Sequence, residues 1–418
     1  MNTMTRIDAP SLADRRIPTG NDFLTAEQVA QITPDELIRR TSALQPLIAE
    51  HAAEAERLRR PVDAVWQALR DSGYFYMFVP RVHGGLEFDP DTFISATLPI
   101  AEADPSTGWV ASFCAEHNWL IAQMPEKAQA EVWNGNKYAI APSVASPPGQ
   151  ARIVDGGFTI SGHWKWGTGI MHADWAMLNA LVPTQAGPPA MHMFLIPASE
   201  VTVLDTWHME GMAATGSNDL VLEDAFVPAH RCFEVGPVRS GRGHAGRIYD
   251  NPLYKAPMLP QLCVAAAIPA IGAARAAVRL CNERLRKHVK MGTETTSVEK
   301  PAAQMRLARA DILVDSAELM LRTASRRSLE IGVLDEPEQI TERIRLRAQI
   351  AYAVSQCVDA VRTTCEAVGS SVHALSNPMQ RLLRDIQVMQ SHIVYDLDVA
   401  TELHGRTLVG LPPNSVLL

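Results

Sequence analysis

The sequence predicts an α+β protein in which a β-rich domain lies between two helical regions. Helix-start signals and helical periodicity fill the first 140 residues, short apolar runs bounded by Gly, Pro, Asp or Asn follow, and long helical stripes return after about residue 257. The chain has 418 residues, enough for about three domains of roughly 150 residues each. The expected parts are a loose arm at 1–24, a helical domain at 25–142, a β-barrel or sandwich domain at 143–235 and a C-terminal helical bundle at 236–418.

Proline and small polar residues mark the starts of three N-terminal helices. Thr33-Pro34-Asp35-Glu36 combines an N-cap threonine with a glutamate three residues later, a capping box that predicts a helix running through Ile48. A second helix is predicted from Pro61 to a stop at Gly73. Asp104 precedes a proline and predicts the cap of a third helix. One face of that third helix carries Val110, Cys114, His117 and Ile121.

Short apolar runs after residue 145 predict strands. Asp155-Gly156-Gly157 is a turn between a run that ends at Val154 and an alternating segment that starts at Phe158, so these residues predict a hairpin. Further runs occupy residues 175–182, 191–196, 201–204 and 220–227. About six short strands of this kind favour a small barrel or a sandwich.

Helical spacing of apolar residues returns in the C-terminal region. Two stripes are visible, one formed by Met305, Ala308, Ile312, Leu313, Leu319 and Met320 and one formed by Leu346, Ile350, Val354, Cys357, Val361, Cys365 and Val368. Gly369 is expected to end the second helix. Long helices with such stripes predict an antiparallel bundle, whose outer faces often make oligomer contacts.

Composition argues against several classes of protein. The 38 Lys and Arg residues are outnumbered by 46 Asp and Glu residues, and the net charge of -8 does not attract a nucleic acid or an anionic membrane. The six cysteines form no CxxC pair and lie in apolar stretches, so we expect reduced core cysteines. The most apolar run, Leu262 to Ala274, contains Pro269 and falls short of the ~20 residues that span a bilayer. With a polar N-terminus, these features predict a cytoplasmic protein.

One familiar motif lacks its usual surroundings. Residues 241–246 read GRGHAG and match GxGxxG, but a dinucleotide site needs a buried strand before the motif and a helix after it. Pro237 precedes the motif and Pro252 follows it, so residues 236–257 are interpreted as a flexible linker. No phosphate loop, GxSxG elbow, HExxH helix or metal-ligand cluster is present in the sequence.

Two segments of the predicted β-domain resemble the acyl-CoA dehydrogenase superfamily. ISGHWKWGTG at 160–169 resembles the G-x-x-x-W-x-T segment that lies against the flavin in that superfamily, and GSNDLVLEDAFVP at 216–228 resembles a later strand that starts with Ser-x-Asp-Leu and ends with Val-Pro. SNPMQRLLRD at 376–385 resembles the last long helix of the superfamily. The resemblance covers residues 25–418 and implies an N-terminal helical domain, a central β-barrel and a C-terminal helical bundle.

The first of these segments supplies the candidate flavin contacts. Thr168 offers a short hydroxyl on a glycine-flanked backbone that a planar ring can approach, and Trp166 offers an apolar face. A hairpin with a packed tryptophan is the alternative interpretation of the residues alone. The resemblance implies that Thr168 bonds to flavin N5 or O4, with Trp166 and Ser217 as further cofactor-binding residues.

The chain departs from the dehydrogenases at the catalytic base. Acyl-CoA dehydrogenases need a carboxylate to remove an α-proton while hydride leaves, and in one large group that glutamate follows a tyrosine shortly after the RxxRD segment. The two positions correspond to His392 and Ile393 here, and isoleucine cannot act as a base. Asp396, Asp398 and Asp250 are the alternative carboxylates.

A second departure concerns FAD binding. The superfamily's R-x-x-F-G signature is expected at residues 284–292, where the chain reads RLRKHVKMG without a phenylalanine. A weaker site suits a flavin that arrives reduced and leaves oxidised. Both departures, and the ending LHGRTLVGL at 403–411, resemble the oxygenase components of two-component flavin monooxygenases, above all the phenol hydroxylases.

This closer resemblance implies a function. The oxygenase takes reduced FMN or FAD from a separate NAD(P)H:flavin reductase, reacts it with O2 to a C4a-hydroperoxyflavin and hydroxylates a phenolic or indolic substrate, as a homotetramer. It also implies that His117 binds the substrate hydroxyl, that His392 contacts substrate or peroxide, and that Ser143 donates to substrate or flavin. A histidine titrating near ~6.5 favours the phenolate. A satisfied core histidine is the alternative for His117, and structural roles are expected for His163, His172 and His373.

Other functions of the same fold stay open from the sequence. One is a dehydrogenase or oxidase with bound FAD that acts on a thioester or a nitroalkane. Another is a monooxygenase that oxygenates sulfur or nitrogen. A third is a flavin-fold scaffold without catalytic activity.

Overall fold

The computed structural model describes residues 22–287 and 296–415, so most of the predicted N-terminal arm lies outside the described residues. The segment before the sheet is helical, as predicted. Its α-helices are α1 (Ala26–Ala30), α2 (Pro34–Ala43), α3 (Gln45–Leu58), α4 (Asp63–Ser72), α5 (Pro90–Ala103), α6 (Pro105–Ala122) and α7 (Glu126–Trp133).

The predicted helix signals are confirmed at three places. The Thr33 side chain accepts a hydrogen bond from the backbone N–H of Glu36 at the start of α2. Gly73 ends α4 with a φ of 85°, a left-handed conformation that suits glycine. Asp104 caps α6 by accepting from the backbone N–H of Thr107 at 2.9 Å.

The helix predicted from Thr33 through Ile48 is two helices in the structure. Helix α2 ends at Ala43, and α3 starts at Gln45 with a proline in its first turn. Pro46 has no N–H to donate to the preceding turn, so a continuous helix would lose a hydrogen bond there. This break was not predicted.

Seven strands lie between the helical segments. Their bounds are β1 (Ser143–Val154), β2 (Gly157–Trp164), β3 (Trp175–Val182), β4 (Ala190–Pro197), β5 (Thr202–Leu204), β6 (Asp219–Pro228) and β7 (Cys232–Glu234). The hairpin predicted around residues 155–157 is confirmed, because β1 and β2 pair antiparallel from Gln150 and Ser161 to Val154 and Gly157. The short strand β7 was not predicted.

The strands form one sheet in the order β5-β6-β2-β1-β3-β4-β7. Strands β1 and β3 are parallel, and every other neighbouring pair is antiparallel. Within the described residues β5 and β7 are the edge strands and do not pair with each other. The sheet is therefore open, because the two strands that would have to pair to close the expected barrel, β5 and β7, lie at its opposite edges.

The C-terminal region is helical, which confirms the predicted helix–sheet–helix order. Its α-helices are α8 (Val235–Arg239), α9 (Ala245–Ile248), α10 (Met258–Lys287), α11 (Pro301–Glu330), α12 (Glu336–Val368), α13 (Pro378–Gln390) and α14 (Leu397–Leu408). Residues 288–292 of the segment compared with the R-x-x-F-G signature lie outside the described residues.

Helix α10 is the central helix of the protein and packs against α5, α6, α11 and α12. By length and composition alone it is one helix that meets the criteria for crossing a membrane. Of its most apolar 18-residue window, 83% is buried inside the protein. This burial is typical of a core helix.

The segment interpreted as a flexible linker is packed instead. It contains α8 and α9, and Val238 and Ala245 are buried. Gly241 has a φ of 68°, and a Cβ atom at this position would lie 2.1 Å from the carbonyl oxygen of Lys255. Its glycines therefore permit close backbone approach, and the prediction of a flexible linker was wrong.

Of the two apolar stripes predicted in the C-terminal region, one is buried and the other is largely exposed. The stripe on α12 is buried from Leu346 to Cys365, as predicted. On α11 the interior is instead formed by smaller residues, including Ala310, Val314 and Ala317. Met305, Ile312 and Leu319 are 72%, 67% and 67% exposed.

Candidate active site

Two loops that are distant in sequence meet through a pair of hydroxyls. The Oγ1 atom of Thr168, after β2, lies 2.8 Å from Oγ of Ser217, before β6. Ser217 is also 2.8 Å from Oγ1 of Thr215. The N–H of Gly167 donates to the carbonyl oxygen of Asn218 at 2.9 Å, which fixes the two backbones together. We call Thr168 and Ser217 the hydroxyl pair.

The loop after β2 has an unusual backbone. Trp166 has a φ of 70°, and its side chain is 60% exposed. Gly169 has a φ of 90°, and a Cβ atom there would lie 2.7 Å from Sγ of Cys114 on α6. Only glycine allows the loop to lie this close to α6, so the hydroxyl of Thr168 is held at the helix surface.

Helix α6 supplies an aromatic row next to the hydroxyl pair. The indole N–H of Trp109 donates to Oγ1 of Thr168 at 3.4 Å. The Trp109 ring lies 4.9 Å from Phe113 and 5.5 Å from His392, and Phe113 lies 5.5 Å from His117. These four rings, which we call the aromatic row, place the two predicted active-site histidines at its two ends.

His117 is buried and its tautomer follows from its partner. Its Nδ1 atom lies 2.6 Å from the carbonyl oxygen of Ala141, which only accepts, so Nδ1 donates and carries the proton. In the neutral ring, Nε2 is then an acceptor. Burial lowers the pKa of His117 to about 4, although the Ala141 carbonyl acts in the opposite direction. The sequence predicted that His117 titrates near 6.5, but its buried environment lowers the pKa below this value.

His392 has the opposite tautomer. It lies just before a short 3-10 turn, Ile393–Tyr395, and its Nδ1 atom accepts from the backbone N–H of Val394 at 3.4 Å. In the neutral ring the proton is then on Nε2, which is a donor. Burial lowers the pKa of His392 to about 4. One end of the aromatic row therefore offers an acceptor and the other a donor.

Ser143 lies at the start of β1 and is half-buried. Its hydroxyl is 3.9 Å from the sulfur of Met193 on β4. It follows Ala141, whose carbonyl holds His117, by two residues. Within the described residues no hydrogen bond connects the Ser143 side chain with the aromatic row or with the hydroxyl pair.

The alternative carboxylates lie at the surface. Asp396 accepts from the backbone N–H of Val399 at 3.0 Å and so caps α14. Asp396 and Asp398 line a surface cleft of about 390 Å³, and Asp250 is exposed. Ile393 is 60% exposed. Each of these positions is occupied by a solvent-facing residue.

Glu116 is a buried carboxyl group that the sequence analysis missed. It is 2% exposed, and its Oε2 atom lies 4.0 Å from Nε2 of His117. Burial raises the pKa of Glu116 to about 8. The available signal was a glutamate in the middle of an otherwise apolar helical stretch, ASFCAEHNWLIA at 111–122.

Two of the histidines interpreted as structural have structural contacts. His172 is stacked on Trp66 with ring centroids 4.6 Å apart, and its Nε2 atom lies 3.1 Å from the carbonyl oxygen of Pro61. His163 bonds through Nε2 to Asp219 at 2.8 Å. His373 is exposed. These contacts agree with roles outside the chemistry.

A carboxyl group of the C-terminal region supports the hydroxyl pair. Asp385 on α13 accepts from the backbone N–H of Met212 at 2.6 Å. Met212 has a φ of 54°, and its carbonyl oxygen accepts from Oγ1 of Thr215 at 3.0 Å. Through Thr215 and Ser217 this connection reaches Thr168. Burial raises the pKa of Asp385 to about 7.

The residues present fit a flavin. The hydroxyl pair provides a donor and an acceptor at the mouth of a loop that glycines hold against α6, and the exposed face of Trp166 can cover an aromatic ring. Within residues 22–287 and 296–415, no group of three His, Cys, Asp or Glu side chains is arranged to hold a metal ion.

The helix–sheet–helix fold and this loop geometry define the acyl-CoA dehydrogenase class. A family model described as "Acyl-CoA dehydrogenase, C-terminal domain" matches residues 264–397. The chain belongs to the oxygenase components of flavin-dependent monooxygenases within that class. This membership confirms the resemblance found in the sequence.

Three similar proteins illustrate the relationship. The chain is 34% identical to a pigment production hydroxylase of Rhodococcus sp. over 93% of this chain and 100% of that protein. It is 33% identical to the oxygenase component of an FADH2-dependent resorcinol hydroxylase of Rhizobium sp., over 94% and 99% of the two chains. The structure of XiaF from Streptomyces sp. in complex with FADH2 and glycerol has a TM-score of 0.84 and 30% identity, covering 94% of this chain and 99% of that one.

Proposed function

We propose that the protein uses reduced FMN or FAD and O2 to hydroxylate a phenolic or indolic substrate beside the aromatic row. The observation that carries the proposal is a pair of histidines of opposite tautomer, the buried His117 and the partly buried His392, at the two ends of two apolar rings. Relatives with 32–34% identity are named as hydroxylases or monooxygenases, and one is named for resorcinol, a phenol.

The substrate class follows from the wall of the site. Trp109 and Phe113 present apolar faces that stack favourably on an aromatic ring. The neutral His117 accepts at Nε2 and so matches a hydroxyl or an indole N–H. A thioester substrate finds no carboxylate base at positions 392 and 393, where this chain has a histidine and an exposed isoleucine.

Each residue has a distinct part in the mechanism. Reduced flavin, when bound, supplies the two electrons with which one atom of O2 is inserted into the substrate and the other leaves as water. Thr168 and Ser217 hold the flavin edge by hydrogen bonds, and Trp166 covers it. His117 takes the hydrogen bond of the substrate hydroxyl, and His392 donates from Nε2 toward the oxygen to be transferred. Ser143 orients the substrate at the His117 end.

The second contribution of the protein is to exclude water from the site. Water entry favours loss of hydrogen peroxide over transfer of oxygen to the substrate. The aromatic row, the buried helix α6 and the closely packed Gly169 loop exclude water from the side that faces Thr168.

The partners of the chain follow from this chemistry. A separate NAD(P)H:flavin reductase delivers the reduced flavin, and the aromatic compound is the small-molecule substrate.

The cytoplasm is the proposed location because NAD(P)H is available there. The domain limits 25–142, 143–235 and 236–418 are part of the same proposal.

We also propose a homotetramer. Met305, Ala308, Ile312 and Leu319 form an exposed apolar stripe on α11, with Asp315 between the last two. Large exposed apolar side chains at helical spacing favour packing against another helix. A second copy of α11 is the proposed partner of this stripe.

The function is tested by adding a flavin reductase, NADH, FAD or FMN and a panel of phenols and indoles to the purified chain. The expected product gains one oxygen atom, and 18O2 labels it. Catalase is included so that free hydrogen peroxide does not act on the substrate. Reduction of tightly bound FAD by acyl-CoA or a nitroalkane, without oxygen insertion, would establish the dehydrogenase or oxidase alternative. Absence of binding to both reduced flavins would indicate a scaffold.

A further inference from the structure

Glu116 is a charged residue type placed where water cannot reach it. The side chain is 2% exposed, and neither carboxyl oxygen has a hydrogen-bond partner among the described residues. A buried carboxyl group without partners is costly, because its hydration is lost and nothing replaces it. By contrast, the carboxylate of Glu102 on α5 pairs with Arg279 at 3.3 Å. Such a cost points to a function.

The geometry connects Glu116 with one atom of one residue. The Nδ1–H group of His117 is engaged by the Ala141 carbonyl at 2.6 Å, so Nε2 is the nitrogen that gains a proton. Oε2 of Glu116 lies 4.0 Å from this Nε2 atom. Opposite charges at this separation attract strongly in a buried environment. A carboxylate at Glu116 therefore favours the imidazolium form of His117.

Other charged or titratable groups lie on the elements packed on α6. They include Tyr74, Tyr76, Glu102, Cys263, Arg279, Arg381, Arg384 and Asp385, and Asp104 caps α6 itself. Glu102 pairs with Arg279, Arg381 with Asp104 and Arg384 with Glu56. The carboxyl group that lies within 4.0 Å of Nε2 of His117 is that of Glu116.

His117 alone is poorly suited to take a proton from a phenol. Burial lowers its pKa to about 4, whereas a phenol such as the tyrosine side chain has a pKa of about 10. Burial raises the pKa of Glu116 to about 8, so its carboxylate becomes available at mildly alkaline pH or when a neighbouring cation stabilises it. Because the two groups interact, their titrations belong to the pair.

We propose that Glu116 is a positioning residue for the hydroxylation, whose carboxylate is the counter-charge that lets His117 hold the proton of the substrate hydroxyl. In this step the substrate O–H bond breaks, its electron pair stays on oxygen as phenolate, and an N–H bond forms at Nε2 of His117. The phenolate at Nε2 and the Glu116 carboxylate, 4.0 Å from the same atom, then both stabilise the imidazolium. The inference rests on the proposed function, because it needs a hydroxylated aromatic substrate.

The test measures ionisation of a bound phenol rather than turnover. Resorcinol is added to the purified full-length chain without flavin, and ultraviolet difference spectra report the phenolate fraction from pH 6 to 9.5. Wild-type protein is expected to ionise bound resorcinol in a pH step that Glu116→Gln lacks, with at least about a tenfold lower ratio of phenolate to phenol. Affinity for 1,3-dimethoxybenzene, which has no hydroxyl proton, is expected to be unchanged in Glu116→Gln.

Two further variants make the result decisive. Glu116→Asp keeps the charge but withdraws it by one methylene, so it is expected to restore part of the pH step. Glu102→Gln is the matched control on α5, where the carboxylate pairs with Arg279 at 3.3 Å, and it is expected to behave as wild type. Equal phenolate fractions in wild type, Glu116→Gln and Glu116→Asp would overturn the inference. Wild-type protein that binds neither resorcinol nor other phenols or indoles would overturn the proposed function instead.

Discussion

The hydroxyl oxygens of Thr168 and Ser217 lie 2.8 Å apart although 49 positions separate the two residues. This contact joins the loop after β2 to the loop before β6. The indole N–H of Trp109 reaches the same Thr168 oxygen from α6 at 3.4 Å. The residues that are proposed to hold the flavin edge are thereby connected to the helix that carries the proposed substrate-binding residue His117.

Thr168→Ala is expected to uncouple the reaction. The loss of one hydrogen-bonding hydroxyl weakens reduced-flavin binding by about two- to tenfold, and more hydrogen peroxide is released per NADH consumed because the oxygenating site is less well ordered. Equilibrium binding of reduced FMN or FAD under anaerobic conditions and a peroxide assay measure the two effects. Thr168→Ser keeps the hydroxyl and is expected to remain close to wild type. Unchanged affinity and unchanged peroxide release in Thr168→Ala would remove Thr168 from the flavin site.

Asp385 supports the hydroxyl pair through Met212 and Thr215. Asp385→Ala removes the acceptor for the N–H of Met212, a residue held at a φ of 54°. A buried donor without a partner costs about 1–3 kcal/mol, so we expect lower stability together with weaker flavin binding through the Thr215–Ser217 connection. Urea unfolding and anaerobic flavin binding measure these effects.

Asp385→Asn is the matched control because its side-chain oxygen still accepts. Burial raises the pKa of Asp385 from 3.8 to about 7 in the folded protein, so the free energy of unfolding falls as the pH rises from about 4 to about 7. Asp385→Asn lacks this titration and is expected to gain stability relative to wild type as the pH rises over that interval. A parallel pH dependence of the two proteins would contradict the assignment.

Much of the fold could be predicted because its signals are local. Caps at Thr33 and Asp104 and the turn at residues 155–157 act over a few positions, so the elements follow from the sequence. The linker prediction failed at Gly241 because the close approach of Lys255 is a tertiary contact. The apolar stripe on α11 was recognised, but periodicity alone does not tell whether its partner is in the same chain or in another.

The site was predicted less completely. The loop around Thr168 was found through its resemblance to a family, and the hydrogen bond to Ser217 agrees with its proposed role. The pKa of His117 depends on burial and on the Ala141 carbonyl, which a helical pattern does not reveal. Glu116 was missed because a glutamate next to a histidine in a sequence gives no indication that both are buried.

The lowered pKa values of His117 and His392 predict an acid-sensitive fold. Burial lowers the pKa values of His117 and His392 to about 4, whereas an unfolded histidine titrates near ~6.5. The unfolded chain therefore binds more protons between these values, and the free energy of unfolding falls as the pH falls. Each histidine contributes about 2 kcal/mol of this loss between pH 7 and pH 5.

Urea unfolding at pH 7 and pH 5 measures this dependence. His392→Asn removes one protonation site, and its loss of stability over this interval is expected to be smaller than that of wild type. The change in free energy between the two pH values is compared within each variant, so that a packing defect common to both pH values cancels. An equal loss in His392→Asn and wild type would show that His392 is protonated in the folded protein as readily as in the unfolded chain.

The exposed stripe on α11 predicts how the oligomer can be dissociated. Ile312→Glu and Leu319→Glu place a charge on side chains that are each 67% exposed in the single chain, so folding of the monomer is expected to tolerate them. Burying either carboxylate between two copies is costly, because it loses water without gaining a partner. Light scattering coupled to gel filtration is expected to show a tetramer for wild type and a smaller species for both variants. Leu375→Glu is the control, since Leu375 is 87% exposed and lies outside α11. A monomeric wild type, or tetramers of unchanged stability in both stripe variants, would show that α11 is not the contact between copies.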